Sequence, residues 1–271
     1  STNAGVTWTA VNTPWTCGCY TVVISPNYAV DQTLFAGTNI GVFKSMDGGI
    51  TWTTVTGLGS TPAFFLAFSP EYATDQTLFV GKLLTGGIFK STDGGTNWIA
   101  VNTGLIALYS LEMSISPNYS IDRTIFVATD AGVYKSTNGG ATWNAVNSGL
   151  QGVNGLQIVS ISLSPDYGTD QILFAGSWGV SKSTNGAATW TSVNSGLSNL
   201  QVLCLALSPN YSIDQTIFVG TWGGVFKSTN GGLSWTAMNS GLSGPLVFSP
   251  NFAKDQTIFA GGGTVVYKSI N

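Results

Sequence analysis

An all-β protein, a six-bladed β-propeller of four-stranded antiparallel blades, is what this 271-residue sequence predicts, on three observations. First, a tight turn followed by a tryptophan recurs: Trp8, Trp52, Trp98, Trp143, Trp190 and Trp235 lie 44, 46, 45, 47 and 45 residues apart. A period of that length is one blade of four short strands. Second, the segments between the tryptophans are short β-branched and aromatic runs broken by Gly, Asn, Asp and Pro, with no stretch of helical period. Third, the count closes on itself, because 36 residues from Trp235 to Asn271 plus the 8 up to Trp8 make 44. The whole of 1–271 reads as a single propeller.

Residues 202–242 show one unit in order. VLCLALSPN is an innermost strand, buried on both faces and ended by Pro209, and YSIDQ is a loop. TIFVGT and GVFKS are the second and third strands, TNGG is a turn that needs glycines at positive φ, and LSWTAMN is the fourth strand. Counting back from the Ser-Pro that ends each innermost strand, the third residue is always large and apolar: Val22, Leu66, Met113, Ile161, Leu205 and Leu246. These side chains should pack between blades. The fourth residues back, Thr21, Phe65, Glu112, Ser160, Cys204 and Pro245, share no chemistry and are expected to face a central channel.

A sixth copy of the unit is split. The chain opens with STNAGVTWTAVNT, a turn and fourth strand, and closes with VVYKSIN, a third strand. The N-terminal strand is therefore expected to complete the last blade. The matching count of 44 favours closure within one chain; donation of the strand to a neighbour, building a head-to-tail polymer, is the alternative.

The turn has the form S-x-D/N-x-G-x-T/S-W. It appears as Ser1-Asn3-Trp8, Ser45-Asp47-Trp52, Ser91-Asp93-Trp98, Ser136-Asn138-Trp143, Ser183-Asn185-Trp190 and Ser228-Asn230-Trp235. Short polar side chains at its first and third positions can hold the hairpin through local hydrogen bonds. This box resembles the Asp-box, or bacterial neuraminidase repeat, of the propellers of sialidases, sortilin-type receptors, xyloglucan-cleaving glycosidases and photosystem II assembly factors. The resemblance implies a propeller with the box between the two outer strands of each blade. It implies no activity, because the box is structural. Asn97 stands where the pattern has Thr or Ser, and Asn replaces Asp in four boxes.

Composition narrows the function. Charged residues are 8% of the chain and the net charge is −3, so a basic nucleic-acid face is excluded. The surface must be largely Thr, Ser, Asn and Gly, which favours association. No run of 18 apolar residues marks a membrane span, and no signal peptide is seen, as for a chain numbered after processing. Ten of the twelve acids occupy repeat positions: Asp31, Asp75, Asp122, Asp170, Asp214 and Asp255 before the second strands, Asp47 and Asp93 in boxes, and Glu71 and Asp166 in the Asn slot of S-P-N-Y. Only Glu112 and Asp130 fall outside, a poor basis for a glycosidase pair. One arginine and no histidine weigh against a sialidase and against common acid–base chemistry. Cys17, Cys19 and Cys204 lack a fourth metal ligand; Cys204 reads as a buried thiol, and Cys17 or Cys19 as a possible link to another chain.

No catalytic residue, metal or cofactor is therefore expected. The repeated lysines, Lys44 and its five equivalents, should pair with the repeated aspartates at the surface, adding little stability. Trp178 and Trp222 either pack between blades or contact a carbohydrate, and Asn118 and Asn210 lie in glycosylation sequons. The expected function is a non-catalytic, secreted structural propeller, a homo-oligomer or polymer forming an extracellular filament or surface layer. The alternative is a module that binds a glycan or protein through one propeller face.

Overall fold

The computed structural model describes residues 6–7, 9–16, 18–82, 87–106, 109–150, 157–239, 244–249, 252–262 and 265–270. It is a six-bladed β-propeller. Five sheets have four antiparallel strands, and the sixth has three among the described residues. In each the chain runs from the axis outward. The third blade is Ser110–Ile115, Ile125–Thr129, Gly132–Ser136 and Asn144–Ala145. The innermost strands of successive blades, Cys19–Ile24, Ala63–Phe68, Ser110–Ile115, Ser160–Leu163, Val202–Leu207 and Leu246–Phe248, pack against one another in that order.

Second strands such as Ile125–Thr129 are buried on both faces, which is why they read as unbroken apolar runs. Each of the five seams from blade one to blade six is an apolar sandwich. Between blades two and three, Phe79, Ile88 and Val101 of one meet Tyr119, Ile125 and Tyr134 of the next. The apolar residues three back from Ser-Pro belong to these seams: Leu66, Met113, Ile161, Leu205 and Leu246 are buried. Val22, in blade one, is the exception.

The outer strands are shorter than the sequence suggests. In four blades the fourth strand pairs over two residues only, as at Thr53–Thr54 and Thr191–Ser192. Asparagines substitute for the missing ladder. The Asn147 Oδ1 accepts the Val133 N–H at 2.7 Å, and Asn102 and Asn194 do the same for Ile88 and Val180. The loop expected at YSIDQ contains one helical turn in every blade, for example Tyr211–Asp214. Four residues are too few to show a helical period in sequence. The turn ends on a left-handed residue, Gln215 at φ 50°, whose carbonyl accepts the N–H of box Gly231.

The repeated Asp ties this turn down. Asp122 accepts the Ser116 hydroxyl at 2.6 Å and the Thr124 N–H at 2.8 Å, and the pattern recurs in all six blades.

Candidate functional site

The boxes are closed hydrogen-bond units. Ser136 Oγ donates to Asn138 Oδ1 at 2.9 Å and accepts the Gly140 N–H at 2.9 Å. Asn138 Oδ1 also accepts the Thr142 N–H, while its Nδ2 donates to the Thr142 hydroxyl. Gly139 and Gly140 sit at φ 68° and 90°, where a Cβ would be strained. The boxes of Ser183-Asn185 and Ser228-Asn230 repeat the pattern. With Asp at the third position the second hydroxyl bond reverses: Thr51 donates to Asp47, and Asn97 donates to Asp93. Hydrogen bonds from Thr51 hold the Asp47 carboxyl down at about 2, and those from Asn97 hold Asp93 at about 2. The box at Ser1, Asn3 and Trp8 lies outside the described residues.

The box tryptophans do more than cover their own hairpin. Trp143, Trp190 and Trp235 donate their indole N–H to Val101, Val146 and Val193 of the preceding blade at 2.7–2.8 Å. Trp52 and Trp98 donate instead to Gly49 and Gly95 in their own boxes.

The lysines correct the expectation of surface ion pairs. Lys44, Lys90, Lys135 and Lys182 each donate to the carbonyl of the first box glycine in the next blade, at 2.8–3.1 Å. Their aliphatic stems lie against the seam and the ammonium sits 5.3–5.6 Å from a phenylalanine ring centroid. Burial lowers the pKa of all four. The repeated geometry is a staple between blades.

Three of the residues four back from Ser-Pro, Glu112, Ser160 and Cys204, reach across to the next blade, where a channel lining was expected. Glu112 Oε2 accepts the Ile161 N–H at 2.8 Å, Ser160 Oγ accepts the Leu205 N–H at 3.0 Å, and Cys204 Sγ donates to Gly244 O at 2.9 Å. In four blades a register shift falls just before this position, after residues 19, 63, 110 and 202. Burial raises Glu112 to about 7, against the Ser160 and Ile161 hydrogen bonds, and raises the Cys204 thiol to about 11. Asp130 turns away to the Tyr109 N–H, so Glu112 and Asp130 serve different partners. Cys19 is an exposed free thiol; Cys17 lies outside the described residues.

Two surfaces remain uncommitted. The first is a cleft of about 270 Å³ between blades four and five, which brings Trp178 and Trp222 together with Gln157, Ser177, Gln201 and Leu203. Trp178 is 43% exposed and Trp222 69%, so neither is a core residue. Gln201 positions both, bridging Trp178 and accepting the Trp222 N–H at 3.1 Å. The sequons are placed at the start of the one-turn helices, with Asn118 exposed and Asn210 half-buried.

The second surface is the seam between blade six and blade one. Val22 and Ile24, on the rear of blade one, are 55% and 59% exposed, whereas Leu66 and its equivalents are buried. On the front of blade six Val247 and Val266 are 61% and 57% exposed, whereas Ile88, Val133 and Val180, equivalent to Val266, are buried. Thr9 and Ala10, which align with the strand residues Asn144 and Ala145, are in no strand, and nearby Trp15 packs on blade one, 4.7 Å from Phe43 and 5.2 Å from Trp52.

No protein-family profile and no curated protein matches the chain. Solved structures do. An ancestral GH74 enzyme superposes with a TM-score of 0.74 at 17% identity, covering 92% of this chain and 39% of the other. The GH74 xyloglucanase from Xanthomonas campestris gives 0.73 at 17%, covering 94% and 44%. YCF48 from Cyanidioschyzon merolae gives 0.68 at 19%, covering 96% and 84%. The chain thus spans about two fifths of the GH74 chains and most of YCF48. The extracellular domain of the putative one component system BT4673 from B. thetaiotaomicron also matches, at 0.71 and 15%, covering 93% of this chain and 32% of the other. What the chain shares with all of these is the β-propeller fold.

Proposed function

We propose that the chain is a non-catalytic, extracellular interaction propeller that self-associates into a filament or surface layer. One observation carries this: the seam between blades six and one presents two exposed apolar faces, around Val247/Val266 and Val22/Ile24, whereas in the other seams the equivalents of Val22 and Val266 are buried and those of Ile24 are half-buried. Each face already has a known complement, because every internal seam joins the same two surfaces. Exposed patches of that kind mark interaction sites. With 8% charged residues, little repulsion opposes their meeting. The repeated acids and lysines are committed to turns and staples, which supports a role without catalysis. The matches to extracellular domains support a place outside the cell, and the turn motif fits the Asp-box resemblance.

Sedimentation velocity over a range of concentration tests the reading. The expected result is a large species whose share grows with concentration and survives about 1 M salt, since apolar contacts are not screened. A monomer at all concentrations would overturn it.

The Trp178–Trp222 cleft favours a second reading, a module that binds a glycan or a protein segment. YCF48 has also been solved with D1 peptide bound, a match of 0.68 at 15% covering 97% of this chain and 81% of that one. Binding on a glycan or peptide array that disappears in Trp178→Ala and Trp222→Ala, at unchanged melting temperature, is the result this reading requires.

A further inference from the structure

A cavity of about 590 Å³ lies between the outer parts of blades five and six. One wall is Phe218, Val225 and Met238; the other includes Phe252, Ile258 and Tyr267. These six align one for one with Phe79, Ile88, Val101, Tyr119, Ile125 and Tyr134. In the seam of blades two and three those six enclose the indole of Trp143. Among the described residues, the corresponding cluster between blades five and six contains no tryptophan. Lys227 also lines the cavity, 5.4 Å from the Phe218 ring centroid. At the same position Lys90 donates to the carbonyl of Gly139 in the box that carries Trp143. The cavity is therefore a socket with the wall and the cation of a box-tryptophan site.

We infer that this socket takes the N-terminal box segment, residues 1–12 with Trp8, of a second copy of the chain. The inference rests on the self-association proposed above and specifies its joint. In that register Trp8 fills the apolar pocket and the Ala4 carbonyl, at the position of Gly139, meets Lys227. Thr9 and Ala10 pair with Lys268 and Tyr267, as Asn144 and Ala145 pair with Lys135 and Tyr134. Two observations favour a second copy over the chain's own segment. Trp15 anchors the segment to blade one, and the rear face of blade one and the front face of blade six are both exposed in the single chain. In every internal seam the box strand and the next blade arrive together. A donated segment brings the donor's blade one onto the acceptor's blade six, covering Val22, Ile24, Val247 and Val266 in the same step. The contact is head-to-tail, so each copy offers a free socket and a free segment to the next.

The test uses cysteine pairs on the full chain. Thr9→Cys chains, isotopically labelled, are mixed with unlabelled Lys268→Cys chains, oxidised, and digested for mass spectrometry. A 9–268 disulfide joining a labelled to an unlabelled peptide, its yield rising with concentration, is expected. A link that forms only within one chain, in the Thr9→Cys/Lys268→Cys double variant at high dilution, would overturn the inference in favour of self-closure. Assembly without any 9–268 link would overturn it too, while leaving self-association standing; absence of assembly would remove both. A second measurement needs no variant of the chain: a tenfold excess of a peptide of residues 1–12 should lower the mean sedimentation coefficient of the wild-type assembly at least twofold, and the same peptide with Trp8→Ala should leave it unchanged. Equal effects of the two peptides would count against the socket.

Discussion

At the residue scale, the box tryptophans and the repeated lysines join each blade to its neighbour. Trp190 is the clearest case, buried in the seam and bonded through its indole to Val146. Trp190→Ala should cost about 3–5 kcal/mol in denaturant unfolding. Trp52→Ala should cost less, because Trp52 is half-buried and bonds within its own box. Glu112 makes stability depend on pH. Its folded pKa, about 7, lies above the ordinary carboxyl value, so the folded state holds the proton more tightly. Stability should therefore rise by about 1–3 kcal/mol as pH falls from about 7 to about 4.5. Glu112→Gln, which can still accept the Ile161 N–H, should flatten that melting-temperature profile and stabilise the protein at pH 8. Asp47 and Asp93 act in the opposite sense: their contribution is present above the ordinary carboxyl range and is lost as pH falls toward about 2. The box residues were legible in the sequence because their hydrogen bonds are local. The lysine staples were not, since Lys135 reaches Gly186, 51 residues away, and no local pattern marks a partner one blade on.

At the element scale, the strands were read well and their ends less well. The third strand ends in a box that sequence alone marks, so its limits fell where expected. The fourth strand was overdrawn because Asn147 and its counterparts, not backbone pairs, finish the ladder. Trp178 and Trp222 were singled out in the sequence as inter-blade or carbohydrate contacts, but the cleft they line was not, because the two residues are 44 apart and meet only where blades four and five are neighbours. One box breaks its own rule. Ala187 sits at φ 71° where Gly49, Gly95, Gly140 and Gly232 stand in the other boxes. Ala187→Gly should relieve that strain and stabilise the protein by about 0.5–1 kcal/mol, read as a small rise in melting temperature. The same change at Ala188, beyond the strained position, should not.

At the scale of the whole molecule, blade number and blade order were legible from the 45-residue period. The state of the seam between blades six and one was not, because a closing count is blind to whether two faces meet in one chain or two. Removing residues 1–12 should abolish large assemblies while leaving blades two to five folded, measured as loss of fast-sedimenting material with retained far-ultraviolet circular dichroism. Retention of the assemblies would place the joint elsewhere. The equivalence of the seams described above has a consequence for how such chains can vary. If any blade can sit behind any other through the same lysine, tryptophan and apolar plate, then inserting or deleting one whole repeat leaves the two terminal plates untouched. On the self-association proposed above, variants of five or seven blades would thus co-assemble with the six-bladed chain, altering the spacing between joints but not the joints themselves.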